Sequence, residues 1–527
     1  MRTHGFLKDV PGGISRVMKE LLPLAFFDPA GHDASSAGVR LKLIDGSYMR
    51  IWLALGMIIA DESALHSVYQ CKGSSGLKPC LLCQNVFDAK SVRGIVERDA
   101  TGFAVDHTCH GLARLVSHTP ATILAIQQRL QRQSTVLAPQ EFAELQTCLG
   151  WNYAPEGLMQ HDLTRVMFEP CTRVCFDWMH VFFVGGLFNV HVGRLLSVLA
   201  SFKISIDTVE SYVAEWRWPK RVAAAHISDL FAKSRRKSGV DDATFKASAS
   251  QGLSLLPVLA SFMRSLHEKT PVAELQQHAL CFLLLARIVE LILRSARVRV
   301  DPSDLRAALT EYMERFLNLF GKQSMIIKFH YAMHFPGYLE RWGFVPGCFA
   351  LERKHKVGKR FANEIRNTRS HWEASVLREV TNHHVFALCG GSHFSVDASL
   401  VDAGPLRNAF AVMLQQQLGP FESAETAKCA RVNAWEKCHV GDVVMFRSTA
   451  AAGSIMVGEI QWHVSFQQGG LQYVVSCIRT WDLIKDLPAS CKWHRSDGYV
   501  LCHTCDIVCS LIWSGEDVMT TLKPPVV

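Results

Sequence analysis

Residues 39–62 read VRLKLIDGSYMRIWLALGMIIADE, and this stretch decides the fold. Its first five residues alternate between apolar and basic side chains, and Asp45-Gly46 is typical of a tight turn, so a hairpin is predicted here. The nearly continuous apolar run that follows predicts a buried strand. This strand ends at Asp61 and Glu62. Active sites often place carboxylates at the end of a buried strand, although a surface turn holds them equally often.

The composition describes a large chain rich in thiols. Its 527 residues, 49% of them hydrophobic, favour two or more domains over a single core. The net charge of +8 permits a nucleic-acid partner without requiring one. Because the first residues, MRTHGFLKDVPGG, do not resemble a signal peptide, a reducing compartment is expected. The 17 cysteines are therefore considered as metal ligands before disulfides.

The distribution of patterns along the chain predicts an α+β multidomain protein. Helical periodicity dominates residues 175–320, whereas short β-like runs with glycine turns follow residue 436. The longest apolar runs are residues 181–190 and 279–293. The first is too short to span a bilayer and the second contains charges, so both are interpreted as buried core and no membrane partner is expected.

The sharpest local motif is CKGSSGLKPCLLC, residues 71–83. Cys80 and Cys83 form a Cys-x-x-Cys knuckle whose two thiolates can reach one tetrahedral zinc ion. The further ligands of a structural zinc site are expected to be Cys109 and one of three nearby histidines: His107, His110 or His118. The alternative is that these cysteines are buried apolar residues or a redox pair.

A second cluster of possible zinc ligands lies near the C-terminus. Cys491 and His494 form one pair, and Cys502 and Cys505 form another. Only seven residues separate the pairs, and residues 502–509 alternate as a strand would, which weakens the case for zinc.

Asp177 and His180 open a long apolar helical pattern. Three residues apart on a helix, they share one face and can touch, which suits a catalytic pair. The alternative is an acidic residue favourable to the helix N-terminus beside a buried histidine.

The segment from residue 328 to 369 combines histidines with a strongly basic run. His330 and His334 have the spacing of a helical zinc pair, but no glutamate follows His330, which disfavours a metallohydrolase of the His-Glu-x-x-His kind. Glu352 then precedes seven basic residues: Arg353, Lys354, Lys356, Lys359, Arg360, Arg366 and Arg369. This order would be explained if Glu352 held a divalent metal ion while the basic residues after it bound a phosphate backbone. A solvated helix with a few ion pairs would also explain it.

Taken in order, these motifs resemble transposase-derived proteins of the CACTA (En/Spm-like) kind, in their dinoflagellate-type form. The resemblance covers residues 43–361: a strand that ends in Asp, G-x-x-G-x-K-x-C-x-x-C, D-x-M-H, K-x-H-x-x-x-H-x-P and E-R-x-H-x-x-x-K. It implies an RNase H-like core interrupted by a large all-helical insertion, with a DDE acidic triad that binds two Mg²⁺ or Mn²⁺ ions. It also implies double-stranded DNA, such as transposon ends, as the partner.

Carried onto this chain, the resemblance assigns roles to six residues. Asp61 matches the second acidic position, Asp177 and His180 match the D-x-x-H element, and Glu352 matches the final glutamate. Cys80 and Cys83 match the knuckle after the second acidic strand. The chain departs from the family's pattern before Asp61. None of the aspartates there lies on a predicted strand that could be the first strand of an RNase H-like fold. The chain is therefore expected to be truncated at its N-terminus and to have little or no strand-transfer activity.

We therefore expect a nuclear, DNA-binding protein derived from a transposase, which could form a homo-oligomer. The alternative is a non-enzymatic, zinc-stabilised interaction or chromatin-associated scaffold. The expected segments are partial RNase H-like strands at 1–70, a zinc-binding loop region at 71–120, a helical insertion at 121–325, the Glu352 helix and basic segment at 326–390, a linker at 391–435 and a small β-barrel-like domain at 436–527.

Overall fold

The chain forms two compact units that combine helices and strands, in agreement with the α+β class. The computed structural model describes residues 10–27, 33–42, 45–88, 104–222, 227, 229–231, 245–365, 372–389, 398–433, 436–448 and 454–524. Unit 1 comprises residues 1–194, 247–249 and 287–353, and unit 2 comprises residues 195–246, 250–286 and 354–527. The helical region expected at 121–325 is therefore divided between both units.

Unit 1 consists mainly of helices with a few short strands. Its longer helices are Gly13–Phe26, Glu62–Tyr69, Pro120–Gln133, Pro139–Leu149, Asp162–Met167, Trp178–Phe183, Pro302–Phe320, Ile327–Ala332 and Phe335–Trp342. Its strands are Val39–Lys42, Tyr48–Ile51, Ile58–Ala60, Val86–Phe87, Val105–Asp106 and Val174–Phe176. The helices Leu187–Ser201, Ala273–Ser295 and Phe349–Glu364 extend across the boundaries between the units.

Two strands that lie far apart in sequence form the centre of unit 1. Ile58–Ala60 pairs in parallel with Val174–Phe176, and Ala60 lies opposite Phe176 in the register. The second strand is fully buried, and the Phe176 ring stacks on Tyr331 with centroids 4.3 Å apart. The strand before Asp61 is thus present, but it is only three residues long and half-buried.

The hairpin predicted from the opening stretch is confirmed. Val39–Lys42 and Tyr48–Ile51 are antiparallel, with Val39 opposite Ile51 and Lys42 opposite Tyr48. At the turn, the Asp45 carboxylate accepts hydrogen bonds from the backbone and hydroxyl of Ser47, as is usual for an aspartate that begins a turn.

Unit 2 is built on a large, mainly antiparallel sheet. Its three long strands are Ile455–Gln468, Leu471–Asp486 and Ser490–His503. The remaining strands of the unit are Trp216–Arg217, Ser399–Val401, Gly404–Pro405, Ser423–Ala427, Cys429–Arg431, Lys437–His439, Val443–Arg447, Ile507–Ser510, Trp513–Ser514 and Met519–Leu522. Its helices include Ile206–Ala214, Ala249–Lys269, Trp372–Cys389 and Asn408–Leu418.

The β-rich part begins earlier than the sequence pattern predicts. Strands and a helix are present from Ser399 onward, inside the segment expected to be a linker. The reason is burial: Leu414 of the helix packs with Val464 and Phe466 of the long strands, and Ala424 packs against the same cluster. A short apolar helix covers one end of the sheet, and its weak periodicity concealed this role.

One described stretch, Trp178–Ser201, is long and apolar enough to cross a membrane. Its most apolar window is 67% buried inside the protein, which is usual for a core helix. The expectation of buried core at residues 181–190 agrees with this burial, since Phe182, Phe183 and Phe188 are fully enclosed.

A buried polar chain crosses the long strands of unit 2. His463 is fully buried, and its Nδ1 lies 2.8 Å from the Ser476 hydroxyl, which in turn lies 2.8 Å from the Thr504 hydroxyl. Burial lowers the pKa of His463 to about 4 because the surrounding protein disfavours the charged imidazolium. His463 is therefore neutral in the folded protein at neutral pH.

We expect His463 to make folding sensitive to mild acid. Below pH 6.5 the unfolded chain protonates this histidine whereas the folded chain does not, so stability falls as the pH drops towards 4, by on the order of 3 kcal/mol. Urea unfolding should therefore show that the difference between wild type and His463→Gln shrinks across this range. The exposed His494→Gln variant is the control, and a pH-independent difference for His463→Gln would contradict the prediction.

Candidate functional site

The two cysteines of the knuckle lie in a tight loop of unit 1. Cys80 and Cys83 are each only 1% exposed, and the Leu82 N–H donates to the Cys80 sulfur at 3.3 Å. Backbone N–H donation to the first sulfur is favourable to a thiolate that carries negative charge. Cys83 also forms an isolated bridge with Ser117, which fixes the loop against the segment before the helix Pro120–Gln133.

Two histidines from a distant part of the chain complete the cluster. His330 lies on the helix Ile327–Ala332, and His334 directly precedes the helix Phe335–Trp342. The His334 Nε2 atom is 3.4 Å from the Cys80 sulfur and 3.7 Å from the Cys83 sulfur. One ligand atom from each of the four residues lies within 4.8 Å of every other.

This donor set fits a single zinc ion. In a tetrahedral site, zinc–sulfur and zinc–nitrogen bonds of about 2.3 and 2.1 Å place neighbouring sulfur and nitrogen atoms roughly 3.6 Å apart, close to the observed distances. His330 is fully buried, and neither of its ring nitrogens has a hydrogen-bond partner among the residues that the structure describes. A buried imidazole without a partner is costly unless a metal takes its lone pair. Two thiolates and two imidazoles are the ligands that zinc prefers.

The electrostatics of the two thiols differ. Burial opposes ionisation of Cys80, but the hydrogen bond with Cys83 and the nearby rings of His330 and His334 bring the pKa of Cys80 well below its usual range. The hydrogen bond with Cys80, together with burial, raises the pKa of Cys83. Cys80 is therefore the more acidic thiol of the pair.

The other predicted zinc ligands lie outside this cluster. His107 is held by two other groups: its Nδ1 is 3.6 Å from Asp88 and its Nε2 is 3.1 Å from the Met325 carbonyl oxygen. The His118 Nδ1 lies 3.1 Å from the Thr122 hydroxyl, and burial lowers the pKa of His118 to about 4. The Cys109 thiol lies 3.8 Å from the Gly111 carbonyl oxygen.

The sequence contained a signal for the correct histidines. The His330-x-x-x-His334 spacing is typical of a helical metal-binding pair, and in the fold this pair supplies the second half of the knuckle's cluster. Cys83 and His334 are 251 residues apart, so proximity along the chain pointed instead to residues 107–118.

The second possible zinc cluster does not converge on one ion. Cys491, His494 and Cys502 lie on the same strand, Ser490–His503. Eleven residues of strand separate the two cysteines by roughly 36 Å, and residues three apart point to opposite faces. One metal ion cannot bridge these positions.

Two of the predicted catalytic residues lie at the same edge of the parallel pair. Asp61 directly follows Ile58–Ala60 and Asp177 directly follows Val174–Phe176, and the Asp177 N–H donates to the Ala60 carbonyl oxygen at 3.2 Å. Each aspartate then caps the helix that follows it. The Asp61 carboxylate accepts from the Ala64 N–H at 2.7 Å.

The Asp177 carboxylate is buried and is engaged by several donors. It accepts from the backbone N–H groups of Met179 at 3.3 Å, His180 at 3.2 Å and Cys348 at 2.8 Å. The predicted contact with the His180 ring is present, since Nδ1 of His180 bonds the same carboxylate. The helix-capping alternative is also present, so both interpretations of this pair describe the structure.

A lysine connects the two strand ends. The Lys328 ammonium group is 3.0 Å from the Glu62 carboxylate and donates to the carbonyl oxygens of Val184 at 2.8 Å and His180 at 3.3 Å. A cavity of about 710 Å³ is lined by Glu62, His66 and Lys72, among other residues.

Glu352 and the basic residues lie on or after one helix. The helix Phe349–Glu364 begins one residue after Cys348, and the Phe349 ring lies 5.5 Å from Trp178. The side chains of Glu352, Arg353, Lys354 and Lys356 are outside the described part of the structure, as are Arg366 and Arg369 entirely. Lys359 and Arg360 are exposed, and Arg360 lies 3.8 Å from Glu364.

Comparisons of the chain with protein-family models, curated proteins and solved structures found no match.

We expect the full chain to bind about one zinc ion through the four-residue cluster, because soft thiolates and imidazoles converge there. Cys83→Ser and His334→Asn should each reduce the zinc content measured by elemental analysis and lower the melting temperature. Cys109→Ser, which removes a thiol outside the cluster, is the matched control. Zinc content that survives in the double variant Cys83→Ser/His334→Asn, or that is lost in the control, would refute the assignment.

Proposed function

We propose that this chain is a transposase-derived protein that binds double-stranded DNA. The sheet edge that carries Asp61 and Asp177, here called the acidic edge, would descend from a two-metal site of the DDE kind. The observation that carries the proposal is the parallel strand pair, which brings Asp61 and Asp177 to one sheet edge beside the start of the Glu352 helix. Carboxylates from separate chain segments at the ends of parallel strands are the arrangement that two-metal phosphoryl transfer requires.

This juxtaposition supports a different assignment of the acidic positions. The resemblance matched Asp61 to the second acid and left the first without a residue. The strand register suggests instead that Asp61 and Asp177 represent the first two acids, with Glu352 as the third. An RNase H-like core is then reduced to a short central pair with helices around it.

The hydrogen bonds of Asp177 argue against efficient catalysis. Two-metal sites place the ions about 3.5–4 Å apart and need carboxylate oxygens with free lone pairs. Both oxygens of Asp177 already accept from backbone groups, and the side chain is fully buried. The carboxylate therefore acts as a helix cap that positions His180, and Mg²⁺ or Mn²⁺ would bind only after this network opened.

The zinc site has a structural role in this proposal. Cys80, Cys83, His330 and His334 would hold the ion and fasten the knuckle loop to the helices around residue 330. Since the sulfurs and imidazoles fill all four tetrahedral positions, no open position is left for a substrate. The same helix supplies Lys328, so zinc would also stabilise the acidic edge.

DNA binding is assigned to the basic helix Phe349–Glu364 and the basic residues after it. We expect affinity for duplex DNA to fall steeply with salt, because each phosphate that is neutralised releases counterions. In the variant Lys359→Gln/Arg360→Gln, the slope of log affinity against log salt should be shallower than in the wild type by about 1.8. This value corresponds to about 0.9 for each of two lost phosphate contacts. Fluorescence anisotropy with a labelled duplex measures this slope.

The matched control for this experiment is Arg129→Gln/Arg132→Gln, which removes two exposed positive charges from the helix Pro120–Gln133. Its slope should equal that of the wild type. A salt-insensitive affinity of the wild type, or no affinity for duplex DNA, would overturn the proposed function.

We expect no divalent-metal-dependent DNA cleavage by the wild-type chain, because Asp177 is held by hydrogen bonds. A plasmid-nicking assay with Mg²⁺ or Mn²⁺ tests this expectation, with Asp61→Asn and Glu352→Gln as inactive references. Nicking that requires Mn²⁺ and disappears in both variants would instead establish an active site. Nicking that survives Glu352→Gln would remove Glu352 from it.

A second candidate function is a zinc-stabilised scaffold without DNA affinity. It is favoured by one observation, the use of Asp177 as a buried cap that holds Cys348 and His180 in place. The salt-dependence experiment separates the two functions. A nuclear location and a homo-oligomeric state remain part of the proposal for the DNA-binding protein.

A further inference from the structure

The hairpin of residues 39–51 has two chemically different faces. Because cross-strand partners share a face, Arg40 lies beside Arg50 and Lys42 beside Tyr48 on one side. All four of these residues are exposed. The opposite side carries only Val39, Leu41, Met49 and Ile51. We call the side with Arg40, Lys42, Tyr48 and Arg50 the basic face.

The positive charges of the basic face are not neutralised within the described structure. Arg40 and Arg50 are directly opposite, an arrangement that costs free energy in a β-ribbon. Among the described residues, no carboxylate forms an ion pair with Arg40, Lys42 or Arg50. Asp45 at the turn is engaged by Ser47. Uncompensated like charges at opposed positions indicate an external polyanion as the partner.

Aromatic rings accompany these charges. The Arg40 guanidinium lies 3.7 Å from the centre of the Tyr48 ring, and Tyr48 is 55% exposed. Trp52, which continues the same alternation, is 61% exposed. A guanidinium ordered on a ring loses less entropy when it binds phosphate than a freely rotating one.

The base of the hairpin is shaped to hold Arg50 and Trp52 close to the backbone. Gly38 has a φ of +70°, and a Cβ at this position would lie 2.8 Å from Cγ of Arg50 and 3.1 Å from Nε1 of Trp52. The Arg50 guanidinium also donates to the Ala37 carbonyl oxygen at 2.6 Å. Gly38 thus allows both side chains to lie against the chain, and Arg50 is oriented before any partner arrives.

We propose that the basic face is a second DNA-contacting surface, at which the hairpin lies against duplex DNA as a two-stranded β-ribbon. A ribbon of this kind fits the major groove, and Arg40, Lys42 and Arg50 would contact phosphates along its rim. This inference rests on the proposed DNA-binding function and adds a surface separate from the basic helix that begins at Phe349.

The test uses the full chain and a labelled duplex of random sequence. In Arg40→Gln/Lys42→Gln, the slope of log affinity against log salt should be shallower than in the wild type by about 1.8, at about 0.9 per phosphate contact. Arg50 is left unchanged because it bonds Ala37. The conservative variant Arg40→Lys/Lys42→Arg keeps the charges and should retain the wild-type slope. Circular dichroism and zinc content verify that each variant is folded.

The control Arg129→Gln/Arg132→Gln removes the same charge from a different exposed surface of unit 1. Wild-type binding with an unchanged slope in the hairpin variant would overturn the hairpin proposal and leave the proposed function intact. Equal losses in the hairpin and control variants would also overturn it, since the effect would then be one of net charge. A wild type that does not bind duplex DNA would overturn both proposals.

Discussion

A carboxylate removed from water requires donors from the protein, and the buried Asp177 imposes this requirement on unit 1. Its donors come from the turn it caps, from His180 and from Cys348, which is more than 170 residues away. Because these bonds join the end of a central strand to the start of the Glu352 helix, they fix the relative position of the segments that carry the acidic residues. Loss of this carboxylate would leave three backbone donors unpaired in the interior.

The short helix Ile327–Ala332 joins the acidic edge to the metal cluster. Lys328 pairs with Glu62, His330 enters the Cys80–Cys83 cluster, and the Tyr331 ring stacks on Phe176 of the central strand. Successive residues of one helix point in different directions, so six residues can serve three neighbours at once. The stability of the acidic edge and the occupancy of the metal site are therefore physically linked.

The sequence predicted the parts of this structure that depend on local chemistry. Turn residues and alternation located the hairpin, and the Cys-x-x-Cys spacing located half of the metal cluster. Contacts between distant segments were not predictable in the same way. The parallel pairing of Ile58–Ala60 with Val174–Phe176 and the approach of His334 to Cys83 depend on tertiary packing that leaves no periodic signal. For the same reason, the pattern of residues 391–435 predicts a linker where the structure has the helix Asn408–Leu418.

The separation of 251 residues between Cys83 and His334 has a consequence for the order of events during synthesis. The knuckle leaves the ribosome long before the histidines are synthesised, so its two thiols have no partners while the next 251 residues, nearly half of the chain, are made. A metal ion can be held by all four residues only after residue 334 has emerged. The closure then joins the ends of a very long loop, whose entropic cost grows only logarithmically with length. Binding of a metal by the complete cluster would therefore come late in folding.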